Sequence, residues 1–286
     1  MSRRIIATFL GLFSLLIGGC ATLDEKQGGW IFQPGDRTWG SYVADGMQDR
    51  WVEFDSRLSG KRVRLHALWH EWPATALPAG ANGDPAAPVL LYLHGARWNV
   101  ASSSFRARRM QELGFSVLAL DYRGFGKSDP APISEAIAYE DARAAWDWLA
   151  REYPGRPRYI FGHSLGSAVA IDLASQVDDE AGIMVEGAFT SIPDVVASMK
   201  WGWLPIGPLI TQRFDSRRKV ARIGSPLLVV HGTNDRLIKP ELGRRLFDAA
   251  VEPKAFVLVE GGSHHNTNSV GQPLYRGAIN QLFGLP

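Results

Sequence analysis

Tyr159-Ile160-Phe161-Gly162-His163-Ser164-Leu165-Gly166-Ser167-Ala168-Val169-Ala170 joins a short apolar run to a helix-forming stretch through a serine with glycines two positions away on either side. The run ending at Phe161 reads as a strand buried on both faces, and Leu165 opens a helix, so Ser164 falls on the turn between them. Such a sharp turn presents the serine Oγ, and Gly162 and Gly166 let strand and helix approach with no Cβ between them. The five-residue pattern alone is common; its strand-to-helix setting makes Ser164 a candidate nucleophile.

Outward from this turn the alternation repeats. Short apolar runs at 89–93, 116–120, 159–161, 183–186, 227–230 and 255–259 alternate with helical stretches at 105–113, 133–153, 165–176, 241–250 and 274–283. Strand-helix repetition predicts an α/β fold, a mostly parallel sheet with helices on both faces. Residues 51–54 and 63–69 alternate apolar and polar positions, as half-exposed antiparallel strands do. The stretch 73–88, rich in Ala, Pro and Gly, reads as a loop. Residues 24–49 show no clear period and read as a tether that becomes part of the domain surface. Arg106, Arg108 and Arg109 read as the solvated face of a helix.

A serine hydroxyl needs a general base, and the base needs a carboxylate to fix its tautomer and stabilise its charged form. The run 227–230 leads into His231-Gly232-Thr233-Asn234-Asp235, and the run 255–259 into Glu260-Gly261-Gly262-Ser263-His264-His265-Asn266. Asp235 is therefore the candidate acid, with Glu186 as the other available carboxylate and helix capping as the alternative role for Asp235. Counting from the strand favours His264 as base and leaves His265 as the alternative. Two donors are expected to hold an oxyanion. One is the N–H of Leu165; the other is the N–H of Ala96, in the His94-Gly95-Ala96-Arg97-Trp98 turn, with Arg97 as fallback.

Asp121-Tyr122-Arg123-Gly124-Phe125-Gly126-Lys127-Ser128 lacks the spacing of a phosphate-binding loop and leads to Pro130 and Pro132, so no nucleotide site is expected. No histidine and cysteine cluster has zinc-ligand spacing, and no metal or organic cofactor is implied. A formal charge of +2 on 286 residues gives no steering toward nucleic acid.

Arg3 and Arg4 precede an apolar stretch, 5–17, that ends in Ile17-Gly18-Gly19-Cys20. The layout reads as a secretory signal, too short and glycine-rich to span a bilayer comfortably. It resembles a bacterial lipoprotein signal in which Cys20, the chain's single cysteine, is lipidated after cleavage. That implies a membrane partner through a lipid anchor and a cell-envelope location. Ala21 stands where an Asp would imply inner-membrane retention, so the outer membrane's periplasmic face is expected if the source is Gram-negative. The domains read as 1–19 signal, 20–49 tether and N-terminal extension, and 50–286 catalytic domain.

Over nearly all of 50–286 the sequence resembles the α/β-hydrolase superfamily, through Leu93-His94-Gly95, the Asp121 to Ser128 motif, Gly162-His163-Ser164-Leu165-Gly166, the His231 to Asp235 segment and Gly262-Ser263-His264. The order Ser, Asp, His is that superfamily's chain order. Relatives often carry His-Asn at the base, the pattern that keeps His265-Asn266 open. Trp203-Leu204-Pro205 and Arg213-Phe214-Asp215-Ser216 resemble the branch of small prolyl-oligopeptidase-related hydrolases and protein depalmitoylases. That branch implies a short cap, whose only place is 190–223, with Trp203 and Leu204 in an acyl-binding wall. The implied activity is hydrolysis of a small acyl ester, thioester or acylated substrate; a peptidase or amidase and a non-catalytic envelope scaffold are the alternatives.

Overall fold

The computed structural model describes residues 23–34, 44–73, 87–97, 99–200 and 202–285. The signal segment, Cys20 and Trp201 lie outside them. Residues 23–32 form helix α1. β1 (Gln48–Asp55) and β2 (Arg62–His70) make an antiparallel pair, and β2 pairs antiparallel with β4 (Ser116–Leu120). The chain then alternates: β3 (Val89–Leu93), α2 (Val100–Gln111), β4 (Ser116–Leu120), α3 (Glu135–Glu152), β5 (Arg158–His163), α4 (Leu165–Ala174) and β6 (Gly182–Glu186). After α5 (Ile192–Ala197) and the short α6 (Ser216–Lys219) come β7 (Leu227–Gly232), α7 (Pro240–Ala249), β8 (Lys254–Val259), α8 (Thr267–Val270) and α9 (Gln272–Phe283).

The sheet order is β1-β2-β4-β3-β5-β6-β7-β8, and from β4 onward all pairings are parallel. This is the α/β-hydrolase architecture that the resemblance implies. β3, β4, β6 and β7 are buried along their whole length, because helices cover both faces. One core lies under α3, α4 and α7; the other lies under α2 and α9. From β3 the chain goes to β4 on one side and, through α3, to β5 on the other. The crevice beyond the carboxyl ends of β3 and β5 is thus a topological switch point, where ligands bind in open α/β sheets.

Three readings of the sequence change. α2 begins at Val100 rather than 105, because the Asn99 side chain caps it by accepting from the Ser102 N–H; the weak helix formers Ser102, Ser103 and Ser104 concealed that turn. Arg106 is fully buried in α2, not solvated. Residues 23–32, expected as part of an irregular tether, are helical and docked: Phe32 is fully buried, edge-on to Tyr122, Phe125 and Phe214. Gly28 permits that docking, since a Cβ there would stand 2.1 Å from the Ile133 carbonyl oxygen.

The Asp121 to Ser128 motif serves as a brace. Asp121 accepts from the Val100 N–H at 2.8 Å and lies 3.0 Å from His66 Nδ1, linking β4 to α2 and β2. Arg123 donates to Asp141 and Glu140 on α3 at 2.7 and 2.6 Å. Tyr122 donates to the His94 carbonyl at 3.2 Å and so fixes the turn after β3.

Candidate active site

Ser164 has φ 55 and ψ −121, a conformation that costs a non-glycine residue energy and persists only where surroundings impose it. They do so here. The Ser164 N–H donates to the Glu186 carbonyl at 2.9 Å, and a Cβ on Gly166 would fall 2.1 Å from the Leu93 carbonyl oxygen, so β3 and α4 are in direct backbone contact at the turn.

Asp235 and His264 arrive from the ends of β7 and β8. Asp235 Oδ2 lies 2.7 Å from His264 Nδ1, and Ser164 Oγ lies 2.9 Å from His264 Nε2. A carboxylate at Nδ1 selects the tautomer with its proton there, which leaves Nε2 to accept from the serine hydroxyl. The other Asp235 oxygen accepts from the N–H groups of Leu237 and Ile238, so the residue also caps the turn ahead of α7. Burial alone would raise the Asp235 pKa; hydrogen bonds from His231, His264 and the Ile238 N–H outweigh it and hold the acid well below the carboxylate range.

The alternatives do not make this line of contacts. The His265 ring stands nearly perpendicular to that of His264, their centroids 5.4 Å apart, and it is His264 that contacts both Asp235 and Ser164. Glu186 is engaged on the far side, accepting from Arg106 Nε at 3.3 Å and from the Tyr275 hydroxyl.

Leu165 opens α4, so its N–H has no intrahelical acceptor. Among the described residues neither it nor the Ala96 N–H donates to a protein acceptor. The fallback, Arg97, is committed: its N–H donates to the Phe32 carbonyl at 2.7 Å, with Arg97 held at φ 76. Helix α1 therefore braces the turn that carries Ala96.

Ser164, His264, Leu165 and Ala96 face a cavity of about 290 Å³. Its apolar walls come from Ile31 of α1, Phe189, Ile192 of α5, Leu237 and Ile238. Trp203 and Leu204, expected in this wall, are not part of it; they are 73% and 40% exposed. The chain beyond α5 runs outward over α1, and α1 supplies the wall in their place. A larger groove, about 470 Å³ between β1 and α3, is lined by charges of both signs, Arg57, Glu140, Arg143 and Asp147 among them, and holds no serine, histidine or cysteine.

Arg106 is the residue that sequence reasoning missed. Its Nη2 donates to the carbonyls of His264 and His265 at 3.2 and 3.1 Å, while its Nε pairs with Glu186. One guanidinium thus pins the loop that carries the imidazole. Its position on the inward stripe with Val100, Ser103, Ala107 and Met110 was the available signal, hidden by its charged neighbours Arg108 and Arg109.

A family model described as serine aminopeptidase, S33, matches residues 84–211, which include Ser164 and stop before Asp235 and His264. An uncharacterized protein of Mycobacterium tuberculosis is 37% identical over 184 residues, 63% of this chain and 63% of its own length. The lysophosphatidylserine lipase ABHD12 of Danio rerio is 30% identical over 187 residues, 59% of this chain and 48% of its own. The chain thus spans between about half and two thirds of these curated relatives. Among solved structures, an esterase of Pyrococcus furiosus superposes with a TM-score of 0.67 at 19% identity, over 89% of this chain and 97% of that one. Strand order, the strained serine turn and these likenesses together give the chain the α/β-hydrolase fold.

Proposed function

We propose that the chain is a serine hydrolase that cleaves carboxylic esters or thioesters through an acyl-enzyme. The observation that carries this reading is the unbroken line of contacts from Asp235 through His264 to Ser164 Oγ, facing an apolar cavity. Ser164 attacks the acyl carbon while His264 takes the hydroxyl proton, and the tetrahedral oxyanion accepts from the N–H groups of Leu165 and Ala96. His264 then gives the proton to the departing alcohol or thiol, and Asp235 stabilises the imidazolium between these steps. Water, deprotonated by His264, releases the acid and restores Ser164.

The names of the relatives, a lipase and an esterase, favour ester substrates. The aminopeptidase description of the matching family model supports a second reading, amide hydrolysis. A panel of nitrophenyl esters of increasing acyl length beside aminoacyl anilides separates them. The ester reading expects higher kcat/KM on every short ester than on any anilide, and the reverse ranking would establish the peptidase.

The reading includes an anchor. Lipidation of Cys20 would hold the protein at the cell envelope, with α1 starting immediately beyond it. Metabolic labelling with an alkynyl fatty acid is expected to tag the parent protein and not Cys20→Ser; an unlabelled parent would remove the anchor from the reading.

A further inference from the structure

Single exposed apolar residues are ordinary, but a contiguous group marks an interaction surface. Trp30 on α1 is 66% exposed, and beyond α5 Met199, Trp203, Leu204, Ile206 and Leu209 are exposed within a few residues of one another, Trp203 to 73% and Leu209 to 63%. The two pieces form one surface because hydrogen bonds fasten them. Gln27 donates to the Leu209 carbonyl at 2.7 Å and accepts from the Thr211 N–H at 2.8 Å, and Gln212 donates to Asp24 at 2.7 Å. The surface borders the cavity, since Ile31, next to Trp30, and Ile192, at the head of α5, both line it.

The sequence before α1, taken as the lipid anchor proposed above, favours a bilayer as the occupant of this surface. The apolar stretch 5–17 and Cys20 precede a helix that begins by residue 23. An extended chain covers about 3.3–3.6 Å per residue, so an attachment at Cys20 keeps α1 within roughly 10 Å of it. Tryptophan, with an apolar body and one N–H donor, partitions to the boundary between lipid and water.

We propose that this surface docks on a lipid bilayer, seating Trp30, Trp203 and Leu209 at the interface and turning the mouth of the cavity toward the lipid. Substrate then enters from the membrane, a consequence that rests on the ester-hydrolase reading; the docking itself rests on the proposed anchor at Cys20 and not on turnover.

The test uses a chain beginning at Ala21, which keeps every described residue and lacks the anchor, and vesicles of phosphatidylethanolamine and phosphatidylglycerol. The unsubstituted chain is expected to sediment with the vesicles at low and high salt alike. Trp203→Glu with Leu209→Glu is expected to lower the bound fraction about ten-fold or more, since binding scales with buried apolar area. Both substitutions are at exposed positions outside the cavity, so the urea midpoint and the turnover of a soluble short ester should stay unchanged. Equal binding by the two chains, or none by the unsubstituted one, overturns the proposal. Self-association of the unsubstituted chain without vesicles, abolished in the double variant, overturns it in favour of a second copy as occupant. Because sedimentation needs no turnover, an inactive protein that still binds would count against the hydrolase reading alone.

Discussion

His163, inside the glycine-flanked pentapeptide, is buried beside Arg106 and His264. Burial, then the Arg106 charge and His264, pushes its pKa well below that of an ordinary histidine. The unfolded chain gains a proton near pH ~6.5 and the folded chain does not, so unfolding free energy falls as pH drops below that value, by up to ~1.4 kcal/mol per pH unit, until the folded pKa is reached. His66 acts in the opposite direction, because the hydrogen bonds it donates to Asp121 and Asp49 raise its pKa despite its burial. The His163 contribution is therefore read as a difference. Urea unfolding between pH 5 and pH 7 is expected to show a shallower pH slope in His163→Gln than in the parent protein; equal slopes would remove His163 from the account. Arg106 and Glu186 form a pair that is almost wholly excluded from solvent. Arg106→Met leaves the carboxylate without its cation and is expected to cost ~3–5 kcal/mol in urea unfolding. Adding Glu186→Gln should restore part of that loss, as a neutral group needs no counter-charge.

At the scale of elements, α1 matters most and was the hardest to read. Gly28 and Gly29 depress helix propensity in the middle of the segment, and Lys26 and Trp30 face outward, so no apolar period was visible. The spacing Gln27 to Ile31 and Gly28 to Phe32 matches the docked face in retrospect, but a buried glutamine and a glycine carry no hydropathy signal. Helix α1 closes one cavity wall through Ile31 and holds Arg97 through the Phe32 carbonyl. Gly28→Ala places a methyl carbon against the Ile133 carbonyl and forces α1 away. Steady-state kinetics should then show a fall in kcat larger than the change in KM, as one oxyanion donor is worth ~2.7–4 kcal/mol of barrier. Unaltered kcat with a displaced helix would mean that the Ala96 turn stands without α1. The parallel strands are legible because burial on both faces leaves unbroken apolar runs, whereas a polar cap and first turn conceal the start of α2.

For the whole molecule, topology explains why distant segments meet. The turns after β3 and β5 flank the switch point, and β7 and β8 end at the same edge, so Ala96, Ser164, Asp235 and His264 converge although 100 positions separate Ser164 from His264. Chain order and strand ends made Ser164 and Asp235 readable in the sequence. The histidine pair and the outward course of the chain after α5 depend on side-chain direction, which a sequence pattern does not carry. We propose that Ser164 is a nucleophile activated by His264. The most direct test is reaction with a fluorophosphonate, followed by mass spectrometry of the intact chain and its peptides. One adduct is expected, on Ser164, absent in Ser164→Ala, formed ~10²- to 10⁴-fold more slowly in His264→Ala and at an unchanged rate in His265→Ala. No adduct, an adduct at another residue, or a rate that depends on His265 instead of His264 would contradict the proposal.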